Sequence, residues 1–307
     1  SGVVIGSHHW RFPRLSLSRQ QAKIVSIEGN VVTIASPLLH NVSTDWNVEI
    51  MDWPHISNVG LEHFRITFPA HPRVAHHLEP GYNGIYLTRV FDSWVRDVVI
   101  ENADSGILTE GASNVTIERV TTRGTSIAHY SVQLGGVHNF LVKDLRVENP
   151  VEHPLSFNTF ANKSVYLNAY VLQNPILDQH SGANHQNLFD HTRVEIELPD
   201  PADKHYPLFK GGGAGYWKPS HGNYSTFWNT QVQFSNGAVD LEPILLDGMK
   251  DGANARVIGV SANLPIRVDY GPDAYIEGVG RYYSDIPSLF SHQLRQRMAA
   301  GSTGRHQ

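Results

Sequence analysis

The sequence predicts an all-β protein, a right-handed single-stranded parallel β-helix, on three observations. A short motif recurs through the middle of the chain. Asn114-Val115-Thr116-Ile117-Glu118-Arg119-Val120 is followed by Asn139-Phe140-Leu141-Val142-Lys143-Asp144-Leu145, by Lys163-Ser164-Val165-Tyr166-Leu167-Asn168-Ala169 and by Asn187-Leu188-Phe189-Asp190. The starts at 114, 139, 163 and 187 lie 25, 24 and 24 residues apart. A period of about 20–50 residues marks stacked units, none of which buries its apolar face alone. Ahead of each motif stands a second short strand: Gly84-Ile85-Tyr86-Leu87, Gly106-Ile107-Leu108-Thr109, Ser131-Val132-Gln133-Leu134 and Pro154-Leu155-Ser156-Phe157. Their apolar side chains alternate, which points one face of each strand into a core. A third strand, such as Val98-Val99-Ile100 or Leu145-Arg146-Val147, completes each turn and leaves no room for a crossover helix.

Taken in order, residues 1–57 form an N-terminal cap. Within it, residues 23–34 read as a hairpin, two alternating strands around Gly29-Asn30. His8, His9, Trp10 and Arg11 read as solvated surface. The β-helix occupies residues 58–262, its first strand at 59–68. Residues 69–82, with three prolines and His71, His76 and His77, read as a loop leaving the helix body. An inserted loop, 198–224, holds four prolines and the run Gly211-Gly212-Gly213-Ala214-Gly215. The repeat resumes at Ser225-Thr226-Phe227-Trp228, and residues 243–246 and 254–260 supply a last turn. Residues 263–307 are a C-terminal cap and tail with one helix at 289–298.

The chain has 307 residues, enough for a large core, and a formal net charge of -5. With a pI near 6.4 it carries no nucleic-acid footprint. No apolar run approaches the roughly 18–20 residues of a membrane span. The absence of cysteine excludes a disulfide framework and thiolate metal sites.

The Asn-Val-x-Ile-x-x-Val repeats at this spacing resemble the pectate-lyase-like superfamily of right-handed parallel β-helix proteins. The stretch Gly81-Tyr82-Asn83-Gly84-Ile85-Tyr86-Leu87 through Asn102-Ala103-Asp104-Ser105-Gly106-Ile107 looks like its uncharacterised bacterial branch. The resemblance spans residues 58–262 and implies a fold together with a polysaccharide partner. Superfamily members include lyases, glycoside hydrolases, epimerases, tailspikes and carbohydrate-binding modules, so fold does not choose the reaction. The Asp-rich calcium signature and Arg-containing catalytic motif of true pectate lyases are not matched. The sequence requires no cofactor, with calcium admitted by the resemblance. It implies a secreted or extracytoplasmic protein whose signal peptide is not in this chain, and leaves the oligomeric state open.

Outward side chains of stacked strands form columns along which a ligand lies. The alignment puts Thr88, Glu110, Asn158 and His180 in one column and Tyr86, Leu108, Gln133, Ser156 and Asp178 in its neighbour. The densest polar cluster, Asp178-Gln179-His180-Ser181-Gly182-Ala183-Asn184-His185-Gln186-Asn187, offers a carboxylate and two imidazoles for acid–base work. Asp178, His180 and His185 are therefore candidate catalytic residues. The spacing of His180 and His185 with no evident third ligand argues against a metal. Lys210 is a further candidate base for removing the C5 proton of a uronate, with Tyr216, Trp217 and His221 in the same loop to bind the sugar. Glu110 and Asp178, three repeats or about 14 Å apart at the strand spacing, are too distant for direct paired-carboxylate hydrolysis. The sequence thus favours an enzyme that cleaves a polysaccharide, by lyase-type β-elimination ahead of glycoside hydrolysis. A non-catalytic carbohydrate-binding module and a tailspike-like structural helix are the alternatives.

Overall fold

The computed structural model describes residues 18–180, 182–213, 220–237, 242–248, 250 and 252–303. Strands make up 47 % of it and helix 4 %, so the protein is mostly β, as expected. The hairpin Ile24–Glu28/Val31–Ile34 is antiparallel, and Gly29, at φ +60, fills the first turn position of a type II′ connection. The larger sheets pair in parallel, each strand against its equivalent one repeat away.

Five strands form one sheet: Asn83–Thr88, Ser105–Glu110, Ala128–Leu134, Val151–Phe157 and Leu177–Gln179. Its register superposes Ile85, Ile107, Val132, Leu155 and Leu177, all at most 7 % exposed. A fourteen-stranded sheet supplies the facing column Leu61, Val95, Ile117, Val142, Tyr166, Phe189, Phe227 and Val257. The aromatic part of that column is stacked, Tyr166 on Phe189 at 5.7 Å and Phe189 on Phe227 at 5.0 Å between centroids.

Backbone corners explain the asparagine that opens the first two repeats. Asn114, Asn139 and Lys163 lie at φ 57, 57 and 52, and Arg119, Asp144 and Asn168 at φ 51, 54 and 55. This left-handed region suits Asn and Asp, whose short side chains bond locally. Equivalent corners also bond to one another: Asn139 Nδ2 donates to Asn114 Oδ1 at 2.7 Å and Asn168 Nδ2 to Asp144 Oδ1 at 2.5 Å. The fourth corner falls at Gln186, φ 56, one residue before the expected start at Asn187. Asn187 instead turns inward, where its amide donates to Ala161 O at 2.9 Å and accepts from Ser164 N at 3.1 Å. Burial of an amide with both partners outweighs its corner preference.

Three connections differ from the sequence reading. Residues 198–224 are not all loop: His205–Phe209 is a strand paired with Ile244–Gly248, its Tyr206, Leu208 and Phe209 buried. Parallel pairing continues beyond residue 262 to Tyr275–Val279. Residues 69–82 do not leave the body but turn onto the five-stranded sheet, as shown below.

The helix Leu289–Thr303 begins over the large sheet. Asp190, fully buried, accepts Ser288 Oγ at 2.8 Å and the backbone N–H groups of Leu289 and Phe290 at 3.1 and 2.8 Å. Ser288 Oγ also accepts Ser291 N–H at 3.0 Å, the capping contact that starts a helix.

Ile117 is wholly buried in the central column. Its replacement by Ala is expected to cost about 2–5 kcal/mol, read as a lower urea midpoint with unchanged m-value. An unchanged midpoint would place this side chain outside the core.

Candidate functional site

The outward face of the five-stranded sheet grows steadily more enclosed along the stack. Tyr86 at one end is 55 % exposed, whereas Ser156 and Asp178 at the other are 0 % exposed. The column drawn from the sequence is therefore correct in register, but its far end is not open surface. Two segments cross it. Residues 69–82 are tied down by Asp104, whose Oδ2 accepts Gly81 N–H and Tyr82 N–H, both at 2.7 Å. His71 N–H donates to Ser126 Oγ at 3.1 Å, and Arg73 pairs with Glu152. This places the His76 ring 4.5 Å from His129. The second segment is the start of the glycine run, residues 211–213. Gly212 N–H donates to Asp178 Oδ1 at 2.7 Å, and Ser220 Oγ donates to Gly212 O at 2.9 Å. A Cβ at Gly212 would stand 2.4 Å from His180 Cε1, 2.5 Å from Asp178 Oδ1 and 2.9 Å from His153 Cε1. Only glycine lets the backbone approach this closely.

Asp178 is the hub. Besides Gly212 it accepts Ser156 Oγ–H at 2.6 Å and lies 2.6 Å from His180 Nδ1 and 3.5 Å from His153 Nδ1. Burial alone would raise its pKa, but the His180 and His153 charges and the bonds from His180 and Ser156 outweigh it, and the carboxyl is held below its ordinary range. An ionised carboxylate only accepts, so His180 carries its proton on Nδ1 and keeps Nε2 for other work. Ser156 is itself fixed from the core: its N–H donates to Tyr166 Oη at 3.1 Å.

Around this hub stand His153, His129, His76 and Tyr130. His153 lies 4.7 Å from His180 and 5.5 Å from His129 between ring centroids. Tyr130 stacks on His129 at 4.3 Å, lies 6.5 Å from His180, and accepts Asn158 Nδ2–H at 3.3 Å. Burial, then His153 and His76, push the His129 pKa down to about 4, against a smaller lift from Glu79. Burial is likewise the first cause lowering His153 and His76. It raises Tyr130, as does the Asp178 charge. Two sets bring ligand atoms within 4.8 Å of one another: His76, His129 and His153, and His153, Asp178 and His180.

The sequence candidates divide accordingly. Asp178 and His180 meet, and Asn158 joins them through Tyr130. Glu110 lies in the same column but is exposed and accepts Tyr86 O–H. His185 does not belong here: its Nε2 lies 2.9 Å from His40 Nε2 and its Nδ1 2.9 Å from Ala183 O, so it fastens the N-terminal segment. Its sequence neighbourhood to His180 crosses a turn, which sends the two rings apart. His221 is 2 % exposed and faces the interior, bonded to Tyr270 Oη and 3.2 Å from Gln179 Nε2. Lys210 is exposed, and no hydrogen bond or ion pair joins its amine to Asp178 or His180. Tyr216 and Trp217 lie outside the described residues. A separate pocket of about 320 Å³ near the N-terminal end, lined by Ile56, Leu61, Val90 and Val115 among others, contains no histidine or carboxylate.

Sequence reasoning missed His129 and His153. They fall just ahead of the motifs at Ser131 and Pro154, His129 two residues before the first and His153 one before the second, and the register sets His153 beside Tyr130. No family model, curated protein or solved structure matches this chain.

His129 folds with a pKa of about 4 against an ordinary 6.5. The unfolded chain therefore takes up this proton first as pH falls. Its stabilising effect is complete above about 6.5 and is lost toward about 4. The lowered His76, His153 and Glu79 that face it act in the same direction. Stability measured by urea unfolding is expected to fall across this window, and His129→Gln to shallow the slope. An identical slope in the variant would show that the ring does not titrate with folding.

Proposed function

We propose that the protein is a right-handed parallel β-helix that acts on a uronate-containing polysaccharide and cleaves it by β-elimination. Parallel pairing of residues one repeat apart supports the helical stack, and parallel crossovers are right-handed in nearly all cases. The repeats' resemblance to the pectate-lyase-like superfamily supports the same reading. One observation carries the chemistry: an imidazole oriented by a buried carboxylate, His180 on Asp178, and a phenol, Tyr130, share one outward face with 6.5 Å between their rings.

In this reading His180 Nε2 removes the C5 proton, made acidic by the adjacent uronate carboxylate. The C4–O4 bond then breaks, its electron pair leaving with O4. Tyr130 O–H supplies the proton to O4, and burial helps by keeping the phenol protonated until that moment. The products are a new hydroxyl end and a chain ending in a C4=C5 double bond. Asp178 holds His180 in the useful tautomer and balances the imidazolium that forms, while Asn158 orients Tyr130. Hydrolysis by paired carboxylates is disfavoured, because Asp178 is enclosed and already accepts three hydrogen bonds. Polysaccharide of this kind implies work outside the cytoplasm.

Incubation with a panel of uronate polysaccharides is expected to generate the ultraviolet absorbance of an unsaturated uronate. His180→Ala and Tyr130→Phe are each expected to lower kcat roughly 100- to 10,000-fold with little change in Tm. New reducing ends without absorbance would replace elimination by hydrolysis, and binding without any cleavage would make the protein a carbohydrate-binding module.

A further inference from the structure

His129 and His153 stand on neighbouring strands of the five-stranded sheet, and His76 is laid over them by residues 69–82. One nitrogen of each lies within 4.8 Å of the other two. The geometry points to a site for one divalent transition-metal ion of the zinc class, held by His76, His129 and His153. The site is independent of the elimination reading, since it needs no sugar and no reaction.

The rings are turned outward onto carboxylates in the manner of metal-binding histidines. His129 Nδ1 lies 3.3 Å from Glu79 Oε1, and His153 Nδ1 lies 3.5 Å from Asp178 Oδ1. A carboxylate on Nδ1 fixes the tautomer that leaves Nε2 for the ion and raises its basicity. Glu79 Oε1 and His153 Nδ1 are both shielded from solvent without forming a hydrogen bond of good geometry. An ion on Nε2 obliges Nδ1 to carry a proton, which is the donor each of these contacts requires.

Two ligands come from hydrogen-bonded strands and are rigid. The third, His76, is exposed, and lies on a segment anchored at Asp104 and Glu152. Bonds of about 2.0–2.1 Å draw three nitrogens around a tetrahedral ion to about 3.4 Å from one another, so closure needs a modest swing, and the exposed His76, whose Nδ1 meets Arg73 Nη2 at 3.4 Å, is the ring that makes it. Imidazole selects zinc, copper or nickel over calcium and magnesium, which prefer oxygen. Three histidines leave a fourth position open, the arrangement of catalytic rather than structural zinc.

The overlapping set of His153, Asp178 and His180 does not compete on equal terms. Both Asp178 oxygens are already occupied by Gly212 N–H, Ser156 O–H and His180. That carboxylate orients two imidazoles, and the ion sits on the far side of His153.

The test uses the full chain, stripped with chelator and titrated with zinc by calorimetry and with cobalt by visible absorption, no sugar present. One ion per chain is expected, with the intense visible bands of tetrahedral cobalt and a zinc-dependent rise in Tm. His76→Ala removes an exposed ring, so folding is not at stake, and is expected to abolish the cobalt bands. Glu79→Gln is expected to weaken zinc roughly 10- to 100-fold. His205→Ala, an exposed histidine paired with Asp247 elsewhere, should bind as the parent does. No binding at micromolar zinc, or parent affinity in both His76→Ala and His129→Gln, would overturn the site. Loss in His180→Ala with His76→Ala unaffected would move the ion to the overlapping set. Because metal is read without substrate, failure here leaves the elimination reading to stand or fall by its own assay.

Discussion

Hydrogen bonding between equivalent residues of successive repeats is the constraint from which the molecule follows. Once Ile107 is paired with Val132 and Val132 with Leu155, every side chain on those strands is assigned a face and a neighbour. The left-handed corners at Asn114, Asn139 and Lys163 keep that assignment from drifting, because they turn the chain at equivalent places in successive repeats. A polar residue in an outward position is thereby stacked on the outward residue before it. Functional groups far apart in the chain, such as Tyr130 and His153, become neighbours without any contact designed between them alone.

Two buried carboxylates turn that regular face into a site. Asp104 and Asp178 both stand on the five-stranded side of the stack, and each accepts backbone N–H groups from a crossing segment: Gly81 and Tyr82 for the first, Gly212 for the second. A buried carboxylate without donors is strongly unfavourable, so each segment is held where its amides answer a charge. The enclosure that results also lowers the imidazole pKa values inside it, since little water remains to solvate a second positive charge.

Periodicity made the strands and columns legible, because inward apolar alternation is written directly into Ile85/Leu87 and Val132/Leu134. It also placed Asp178 and His180 on the correct face. It was silent about the segments that cross that face. Nothing in residues 69–82 repeats, so the return of His76 onto His129 depends on Asp104, 23 residues beyond Gly81. Local density misled in one place: His180 and His185 are close in sequence but a turn separates them, and His185 found His40 instead. Burial defeated another expectation, since His221 lies under the sheet with Tyr270 rather than over it.

Asp190 has a consequence for the C-terminal end. The helix is held chiefly through its first turn, where Ser288, Leu289 and Phe290 saturate the carboxylate, and the side chains of residues 293–300 are exposed. Fifteen helical residues make a rod of about 22 Å clamped at its base. Such a rod is a lever: a small tilt of the strand bearing Asp190 is magnified along its length. The direction the helix takes is therefore set by the strand that carries Asp190.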